Sequence, residues 1–208
     1  MGLHYFPIPT DNDDKMYPLI IGGNTMKKIM LLLAASVSLS ACSSGGGDFA
    51  PDKFSAADMC VVKLSNEEEK ICYGMDRLEA EEIAGPGEAT IIGSIEYESG
   101  LDIKYRDDIV ALIRMTADSK GVYRTARGSE VWDKKSEIID LYGKKHPWNE
   151  SEKNLEYVYD IQENKFLDRT SGETIMDEQT HQFSATFNDR GEAETIMLLD
   201  RKMAMLLK

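Results

Sequence analysis

Three cysteines carry the most specific chemistry in this 208-residue sequence, because a thiol can be acylated, can bind a metal or can form a disulfide. Cys42 ends an uncharged run of apolar and small residues, IMLLLAASVSLSA at positions 29–41, and is followed by SSGGG. Cys60 and Cys72 lie on either side of a short polar segment further along the chain. These surroundings predict one role for Cys42 and another for the other two thiols.

The apolar run before Cys42 has the features of a secretory signal. Lys27 and Lys28 follow Met26 and supply a positive start, and the run ends in small residues. Its thirteen residues would span roughly 20 Å as a helix, which is short of the ~30 Å hydrocarbon core of a bilayer. We therefore expect residues 26–41 to be a signal peptide. The alternative is a buried apolar helix that ends in cysteine.

The last four residues of this stretch, Leu39-Ser40-Ala41-Cys42, resemble the lipobox of bacterial lipoproteins. The resemblance implies that the Cys42 thiol receives a diacylglyceryl group and that a signal peptidase cleaves the bond between Ala41 and Cys42. Residues 42–58 would then form a lipidated tether whose serines and glycines favour no compact conformation. The mature protein would be exported and anchored to a bacterial membrane by lipid, facing the extracytoplasmic side.

The residues before Met26 do not fit the start of a signal, because they include several aspartates and prolines. The residues IGGNT directly before Met26 can be encoded by codons that contain AGGAGG, which is a ribosome-binding sequence. We therefore expect residues 1–25 to be an untranslated leader that a mis-assigned start has added. The nucleotide sequence decides this, since a glycine codon other than GGA at Gly22 would contradict the hypothesis.

The sequence is acidic, with 37 aspartate and glutamate residues against 24 lysine and arginine residues and a formal net charge of −13. Binders of nucleic acid need a basic face, so we expect no nucleic acid as a partner. Electrostatic adhesion to anionic lipids is disfavoured for the same reason. Attachment to the bilayer must therefore come from the lipid on Cys42, since two acyl chains hold a protein firmly where one holds it marginally.

Cys60 and Cys72 are candidates for a disulfide. Residues 59–64 and 70–73 read as two short strands around a polar turn, and in a hairpin centred on Asn66 the two cysteines face each other. Disulfides persist outside the cytoplasm, and closing so short a loop would contribute roughly 3 kcal/mol in the chain-entropy model. The alternative is a pair of reduced thiols that act as small core residues.

An internal repeat organises the rest of the chain, with residues 59–118 as the first copy and residues 119–208 as the second. Each copy has a short helix after an acidic cap, Asp76 or Asp133, followed by runs of alternating apolar residues that predict antiparallel strands. The glycines expected to end the helices are Gly85 and Gly143. The sequence therefore predicts an α+β fold in which two helix-plus-antiparallel-strand repeats form a sheet, with the short helices packed on one side.

This repeat resembles the tandem-repeat fold of beta-lactamase inhibitor protein and of small lipoproteins of the outer-membrane-assembly type. Residues 123–134, YRTARGSEVWDK, are also similar to a Y-x-T-x-R-G-I-x-x-G-D-S motif in Gram-positive lipoproteins of unknown function. The resemblance bears on the fold more than on the function, because members of this fold mostly bind other proteins or have no known activity. The positions that match the motif are Tyr123, Thr125, Arg127, Gly128 and Asp133, whereas Ser129 and Trp132 depart from it.

The sequence contains no known catalytic, phosphate-binding or metal-binding motif. His146 and His181 are the histidines that follow Cys42, and we expect both on the surface. Acidic runs such as EEE at residues 67–69 read as solvated turns, with a carboxylate pair or a weak calcium site as alternatives. We therefore expect a protein that is not an enzyme and that has no catalytic residue, no metal site and no cofactor.

Trp132 and Trp148 lie in polar contexts on either side of the second predicted helix and are the candidate partner-binding residues. We expect a non-catalytic protein-binding module at the cell envelope, whose partners are the lipid bilayer and an unknown envelope protein. The alternative is an envelope enzyme or a small-ligand-binding protein that uses acidic residues between the two lobes. Aromatic residues at strand positions read as core, although on an uncovered sheet face they would form a concave binding surface: Tyr97, Tyr105, Tyr157, Tyr159, Phe183 and Phe187.

Overall fold

Antiparallel strands predominate over helices in the computed structural model, which describes residues 49–169 and 177–207. The described residues all belong to one compact unit of the chain. Residues 1–25 and the predicted signal peptide, with its cleavage site at Ala41 and Cys42, lie outside the described residues. The predictions made for them therefore stay predictions.

The described strands form two antiparallel sheets. In chain order they are β1 (Cys60–Lys63), β2 (Lys70–Cys72), β3 (Gly87–Ala89), β4 (Ile95–Tyr97), β5 (Leu101–Arg106), β6 (Ile109–Met115), β7 (Tyr123–Thr125), β8 (Asn149–Glu150), β9 (Asn154–Asp160), β10 (Lys165–Phe166), β11 (Thr180–Phe187) and β12 (Ala193–Asp200). The smaller sheet has the strand order β2-β1-β7. The larger sheet has the order β10-β9-β11-β12-β6-β5-β4-β3, and β8 also pairs with β9.

Short helices connect these strands. The α-helices of the described residues are α1 (Arg77–Ala84), α2 (Lys135–Tyr142) and α3 (Arg201–Leu206). Two single-turn 3₁₀ helices, Ala56–Met59 and Ala117–Ser119, precede β1 and β7. The fold is therefore mixed α+β, with mostly antiparallel sheet and few helical residues, as the sequence predicts at this level.

The cap that the sequence predicts for α1 is confirmed. Asp76 lies in extended backbone at the N-cap position, and its Oδ1 accepts a hydrogen bond from the Leu78 N–H at 2.9 Å. Gly85 follows the last helical residue with a φ of 87°, in the left-handed region that favours glycine. Local sequence chemistry therefore fixes both ends of this helix.

The predicted cap of α2 is wrong by one residue, because Lys134 occupies the N-cap position. Asp133 instead closes the preceding turn, where its Oδ2 accepts a hydrogen bond from the Glu130 N–H at 2.7 Å. Gly143 ends the helix as predicted, with a φ of 103°. A side chain at Gly143 would also collide with the backbone of Asp52, so only glycine fits there.

One face of the larger sheet forms the main hydrophobic core. Side chains alternate across a strand, so Phe183 of β11 faces this core together with its neighbours Leu198 of β12 and Ile113 of β6. The strand aromatics lie in the same core: Tyr97, Tyr157, Tyr159, Phe183 and Phe187 are buried, and Tyr105 is half-buried against them. They are core residues, as predicted, and the alternative of an exposed aromatic surface is wrong.

The opposite face of the larger sheet carries a second, smaller apolar cluster. Helices α1 and α2 bury Ala80 and Ile138 in the main core, whereas Met203 and Ala204 of α3 pack with Leu112 and Leu199. Leu112 and Leu199 are strand neighbours of the core residues and therefore point to the other side of the sheet. The helices are thus not clearly on one side, and the predicted two-repeat arrangement is not established by the fold.

Cys60 and Cys72 form a disulfide, as the sequence predicts. The two residues are directly opposite on β1 and β2, with their Cα atoms 4.0 Å apart. The next pair in the ladder, Val61 and Ile71, is fully buried in the main core. The disulfide therefore closes a hairpin that is itself part of the core.

Arg127 forms a buried ion pair with Asp58, through Nε and Oδ1. The two side chains are only 2% and 1% exposed. The other guanidinium nitrogens donate to backbone carbonyl oxygens: Nη1 to Ala50 at 3.0 Å and to Leu141 at 2.7 Å, and Nη2 to Lys53. The planar guanidinium with its five N–H donors is suited to such a site, where a lysine would make fewer bonds.

The bonds of Arg127 join three separate parts of the chain: the N-terminal segment before β1, the loop after β7 and the end of α2. Its guanidinium also lies over the ring of Tyr142, 4.9 Å from the ring centroid, and near that of Phe49, at 5.7 Å. A buried charge persists only where it is paired and hydrogen-bonded. This side chain therefore holds the N-terminal segment against the domain, together with the backbone hydrogen bond from Asp52 to Tyr142 and the buried ring of Phe54.

Arg127→Met should lower the free energy of unfolding by about 3–5 kcal/mol, because it leaves the Asp58 carboxylate buried without its partner. Urea-induced unfolding followed by circular dichroism measures this change. The matched control is Arg124→Met, which removes an ion pair to the largely exposed Glu67 and should change the free energy by less than ~1 kcal/mol. Equal effects of the two substitutions would contradict the account.

Candidate functional site

Several side chains of the central strands are polar on the face of the larger sheet that is opposite the main core. In β11, Gln182 and Ser184 alternate with core residues such as Phe183 and so point to this second face. Their partners across the ladder on β12 are Leu199 and Met197, which point the same way. The centre of the second face is therefore half polar and half apolar.

Helix α3 forms one wall over this surface. Strand β12 runs directly into the helix, and Asp200 Oδ1 accepts a hydrogen bond from the Met203 N–H at 2.6 Å. Met203 then packs on the apolar cluster of the second face, which holds the helix against the sheet. Arg201 and Ala204, three positions apart, lie on the same side of α3 and border the strands.

Trp148 forms the facing wall, directly before the edge strand β8. Its backbone N–H donates to the carbonyl oxygen of Glu156 on β9 at 2.7 Å, which fixes the residue at the edge of the sheet. The guanidinium carbon of Arg201 lies 5.1 Å from the centroid of the Trp148 ring. The residue before β8 and the start of α3 are therefore linked by an aromatic–guanidinium contact.

Between these walls lies a cleft of about 470 Å³, which we name the α3 cleft. Its size is within the range of small-molecule and side-chain pockets. The apolar part of its lining comes from Trp148 and from side chains of β12 and α3. The polar residues among its described lining are Asn149, Glu156, Arg169, Gln182, Ser184 and Arg201.

Arg201 gives the α3 cleft its electrostatic character. The residue is only 7% exposed, and its Nη1 donates to Gln182 Oε1 at 2.8 Å. Burial lowers the pKa of the Arg201 guanidinium, and the negative charge of Glu156 opposes this shift. Arginine nevertheless stays protonated at neutral pH. The cleft therefore holds a cation that forms no ion pair within the described part of the chain.

A separate, buried polar cluster surrounds His181. The Tyr73 ring lies 4.8 Å from the His181 ring, and the Tyr73 hydroxyl donates to Asp200 Oδ2 at 2.8 Å. Arg106 Nη2 donates to the same oxygen at 2.7 Å. His181 is only 3% exposed, so the expectation that it lies on the surface is wrong. The reason is strand alternation, which places His181 in phase with Phe183 on the core side.

Titration in this cluster is suppressed. Burial lowers the pKa of His181, and the negative charge of Asp200 opposes this shift. Burial raises the pKa of Tyr73, and the hydrogen bond to Asp200 raises it further. Neither His181 nor Asp200 lines the α3 cleft. Both shifts favour the neutral form, and the cluster presents neither an acid nor a base to the cleft.

The two candidate tryptophans occupy different positions. Trp148 lines the α3 cleft, and Trp132 does not. Trp132 lies in the loop between β7 and α2 and is 37% exposed. Its backbone N–H donates to the Ala193 carbonyl oxygen at 2.7 Å. Its φ of 70° lies in the left-handed region, which is unfavourable by roughly 1–2 kcal/mol for a residue with a Cβ. The structure therefore supports only Trp148 as part of this site.

Sequence reasoning missed Arg201, Gln182 and Ser184. The alternation of polar and apolar residues in HQFSATF contained the signal for the two β11 residues, since positions 182 and 184 are out of phase with the core. No local pattern reveals Arg201, because its role depends on α3 folding back over the sheet. The sequence of the C-terminal residues fits either a short helix or a continuation of the strand.

Within residues 49–169 and 177–207, no group of three or more histidine, cysteine or acidic side chains is placed to hold a metal ion. No helix in this part of the chain is long and apolar enough to cross a membrane. Comparison of the chain with protein-family models, with curated proteins and with solved structures gives no match.

The free energy of unfolding should fall as the pH is lowered from about 7.5 toward 5. Burial gives His181 a lower pKa in the folded state than in the unfolded state, where it is near 6.5. The contribution of His181 to the free energy of unfolding is therefore fully present above its unfolded pKa. It is lost as the pH falls from the unfolded pKa to the folded pKa, because the unfolded chain takes up the proton first.

Urea unfolding at a series of pH values measures this dependence. His181→Gln should flatten it, whereas His146→Gln, which alters an exposed histidine, should leave it unchanged. An identical pH dependence in the wild-type protein and in His181→Gln would show that the buried histidine is not its source.

Proposed function

We propose that this protein is a lipoprotein, anchored to a bacterial membrane through Cys42 and exposed on the extracytoplasmic side, whose domain binds another envelope protein without catalysis. The Cys60–Cys72 disulfide supports export, because such bonds form and persist outside the reducing cytoplasm. The signal-like sequence of residues 26–41 supports the same location. The observation that carries the binding proposal is the α3 cleft.

The anchor would hold the domain close to the bilayer. Only residues 43–48 separate Cys42 from Phe49, and six residues reach at most roughly 20 Å when fully extended. The chain after them is fixed to the domain at once, since the Ala50 carbonyl oxygen accepts a hydrogen bond from Arg127. The end of the domain that contains Arg127 would therefore face the membrane, and partners would be met within a short distance of it.

We also infer that the domain is built from two related halves. Helix α1 is followed by β4, β5 and β6, and α2 is followed by β9, β11 and β12. In the larger sheet these groups lie in the order β9-β11-β12 and β6-β5-β4, so that the last strands of the two groups are neighbours. An approximate two-fold relation between two helix-plus-strand units would give this order, and the α3 cleft belongs to the second unit.

The lining of the α3 cleft supports binding rather than catalysis. Tryptophan and arginine are the residues that most often dominate the energy of protein interfaces, and here Trp148 and Arg201 contact each other. Glu156 is the one carboxylate among the described lining residues. The alternative, an enzyme or ligand-binding protein that uses acidic residues between two lobes, would need a second carboxylate beside it. Asp102, on the same face of the sheet, is paired with Arg114 and so is engaged elsewhere.

Cys42→Ala should abolish lipid attachment and release the protein from the membrane fraction, because Cys42 is the proposed acceptor of the diacylglyceryl group. Metabolic labelling of bacteria with an alkyne fatty acid, followed by fractionation, measures both effects. The control is the double variant Cys60→Ala/Cys72→Ala, which should remain labelled. Labelling of Cys42→Ala at the wild-type level would contradict the proposal that Cys42 carries the lipid anchor.

A photo-crosslinking amino acid at position 148 should capture one defined envelope protein in intact cells. The same group at Leu78, which is 76% exposed on α1 but is not part of the cleft, should not capture it. Met197→Lys, which places a charge inside the cleft, should reduce the yield of the adduct at least fivefold. The adduct is measured by immunoblotting and identified by mass spectrometry. Capture at position 132 with none at position 148 would move the binding site away from the α3 cleft.

A further inference from the structure

The arginines of this protein fall into two groups according to whether they form an ion pair. All eight arginines lie in the described residues. Two of them, Arg169 and Arg201, line the α3 cleft and form no ion pair with a described carboxylate. The six outside the cleft each pair with a carboxylate: Arg77, Arg106, Arg114, Arg124, Arg127 and Arg190.

This distribution is unexpected for a chain with a net charge of −13, in which carboxylates outnumber basic side chains. A carboxylate could pair with almost any cation on such a surface, yet no carboxylate within residues 49–169 and 177–207 forms an ion pair with either arginine of the cleft. Arg201 is more than nine-tenths buried, and its partners are the uncharged amide of Gln182 and the ring of Trp148. Burying a guanidinium without a counter-charge is unfavourable.

The cation–π contact and the single hydrogen bond offset only part of that cost, since a guanidinium has five N–H donors. Glu156 is close enough to act on the pKa of Arg201 but lies beyond ion-pair distance. The remaining donors of Arg201 thus have no partner among the described residues, and they lie in a cleft of about 470 Å³. An anion that enters the cleft would supply both a counter-charge and acceptors for these donors.

We propose that the α3 cleft binds a carboxylate side chain in an acidic segment of the partner protein, held by Arg201 and Arg169 and packed against Trp148. This inference rests on the proposed function and names the chemistry of its partner. Arginine binds a carboxylate through two parallel N–H···O bonds, which satisfies donors that the fold leaves open. The rest of the cleft suits a peptide: Gln182, Ser184 and Asn149 offer hydrogen bonds, and Met197 and Leu199 offer apolar contact.

The test uses the protein purified from membranes in detergent micelles and follows the indole N–H signal of Trp148 by NMR, assigned with Trp148→Phe. The probes are the blocked peptides acetyl-Ala-Glu-Ala-amide and acetyl-Ala-Gln-Ala-amide, which differ only in the carboxylate, and propionate as a small acid. We expect the glutamate peptide to shift the signal and to bind at least about tenfold more tightly than the glutamine peptide.

Variants assign this discrimination to Arg201. Arg201→Gln should bind both peptides equally, whereas Arg201→Lys, which keeps the charge but lacks the planar fork, should retain part of the difference. Arg190→Gln is the matched control, because it removes an exposed arginine outside the cleft and should leave the discrimination unchanged. Urea unfolding of each variant confirms that the domain is intact before binding is compared.

Equal binding of the two peptides by the wild-type protein, no binding of either, or unchanged discrimination in Arg201→Gln would each overturn the proposal. Propionate that binds as tightly as the glutamate peptide would overturn the assignment to a protein segment and would indicate a small carboxylic acid instead. A negative result together with a crosslinked partner at position 148 would remove only the carboxylate chemistry. A negative result in both experiments would remove the proposed function as well.

Discussion

The buried ion pair between Arg127 and Asp58 is the interaction on which the rest of the domain depends. Its guanidinium binds backbone carbonyl oxygens of the N-terminal segment and of α2, and it lies against the Tyr142 ring in the core. Desolvating two charges is unfavourable unless every donor finds a partner, so the pair forms only when these segments are assembled together. It therefore couples the start of the folded domain to its core. In an anchored protein this is the point at which the tether would meet the domain.

Arg127 and Arg201 are about equally buried, but they differ in whether the chain supplies a partner for their charge. Arg127 is neutralised by Asp58 and hydrogen-bonded by backbone carbonyl oxygens. Arg201 has one neutral hydrogen-bond partner, Gln182, and an aromatic ring beside it. The first arrangement is complete within the chain, so it stabilises the fold. The second has open donors in a cleft, and a partner outside the described residues would complete it. The two faces of the sheet divide these roles, since the aromatic core face is filled and the second face is not.

Parts of this structure that depend on local chemistry could be predicted from the sequence. The cap at Asp76 needs only a carboxylate before a helical run, and the pairing of Cys60 with Cys72 needs only a short hairpin that places the two residues opposite each other. His181 was misplaced because its polar neighbours suggested a surface, although strand alternation put it in phase with the core. Arg201 could not be predicted, since its site is created by α3 folding back across strands that are distant in sequence. The fold class was thus readable from local pattern, whereas the candidate site was not.

The intact mass of the protein purified from bacterial membranes is the most direct test of the central claim, that this is an exported, lipid-anchored domain. The account predicts a chain that begins at Cys42, carries a thioether-linked diacylglyceryl group, and lacks two hydrogen atoms because Cys60 and Cys72 are bonded to each other. A chain that retains the residues before Cys42 and carries no lipid would contradict the account. So would a chain in which Cys60 and Cys72 are both free thiols.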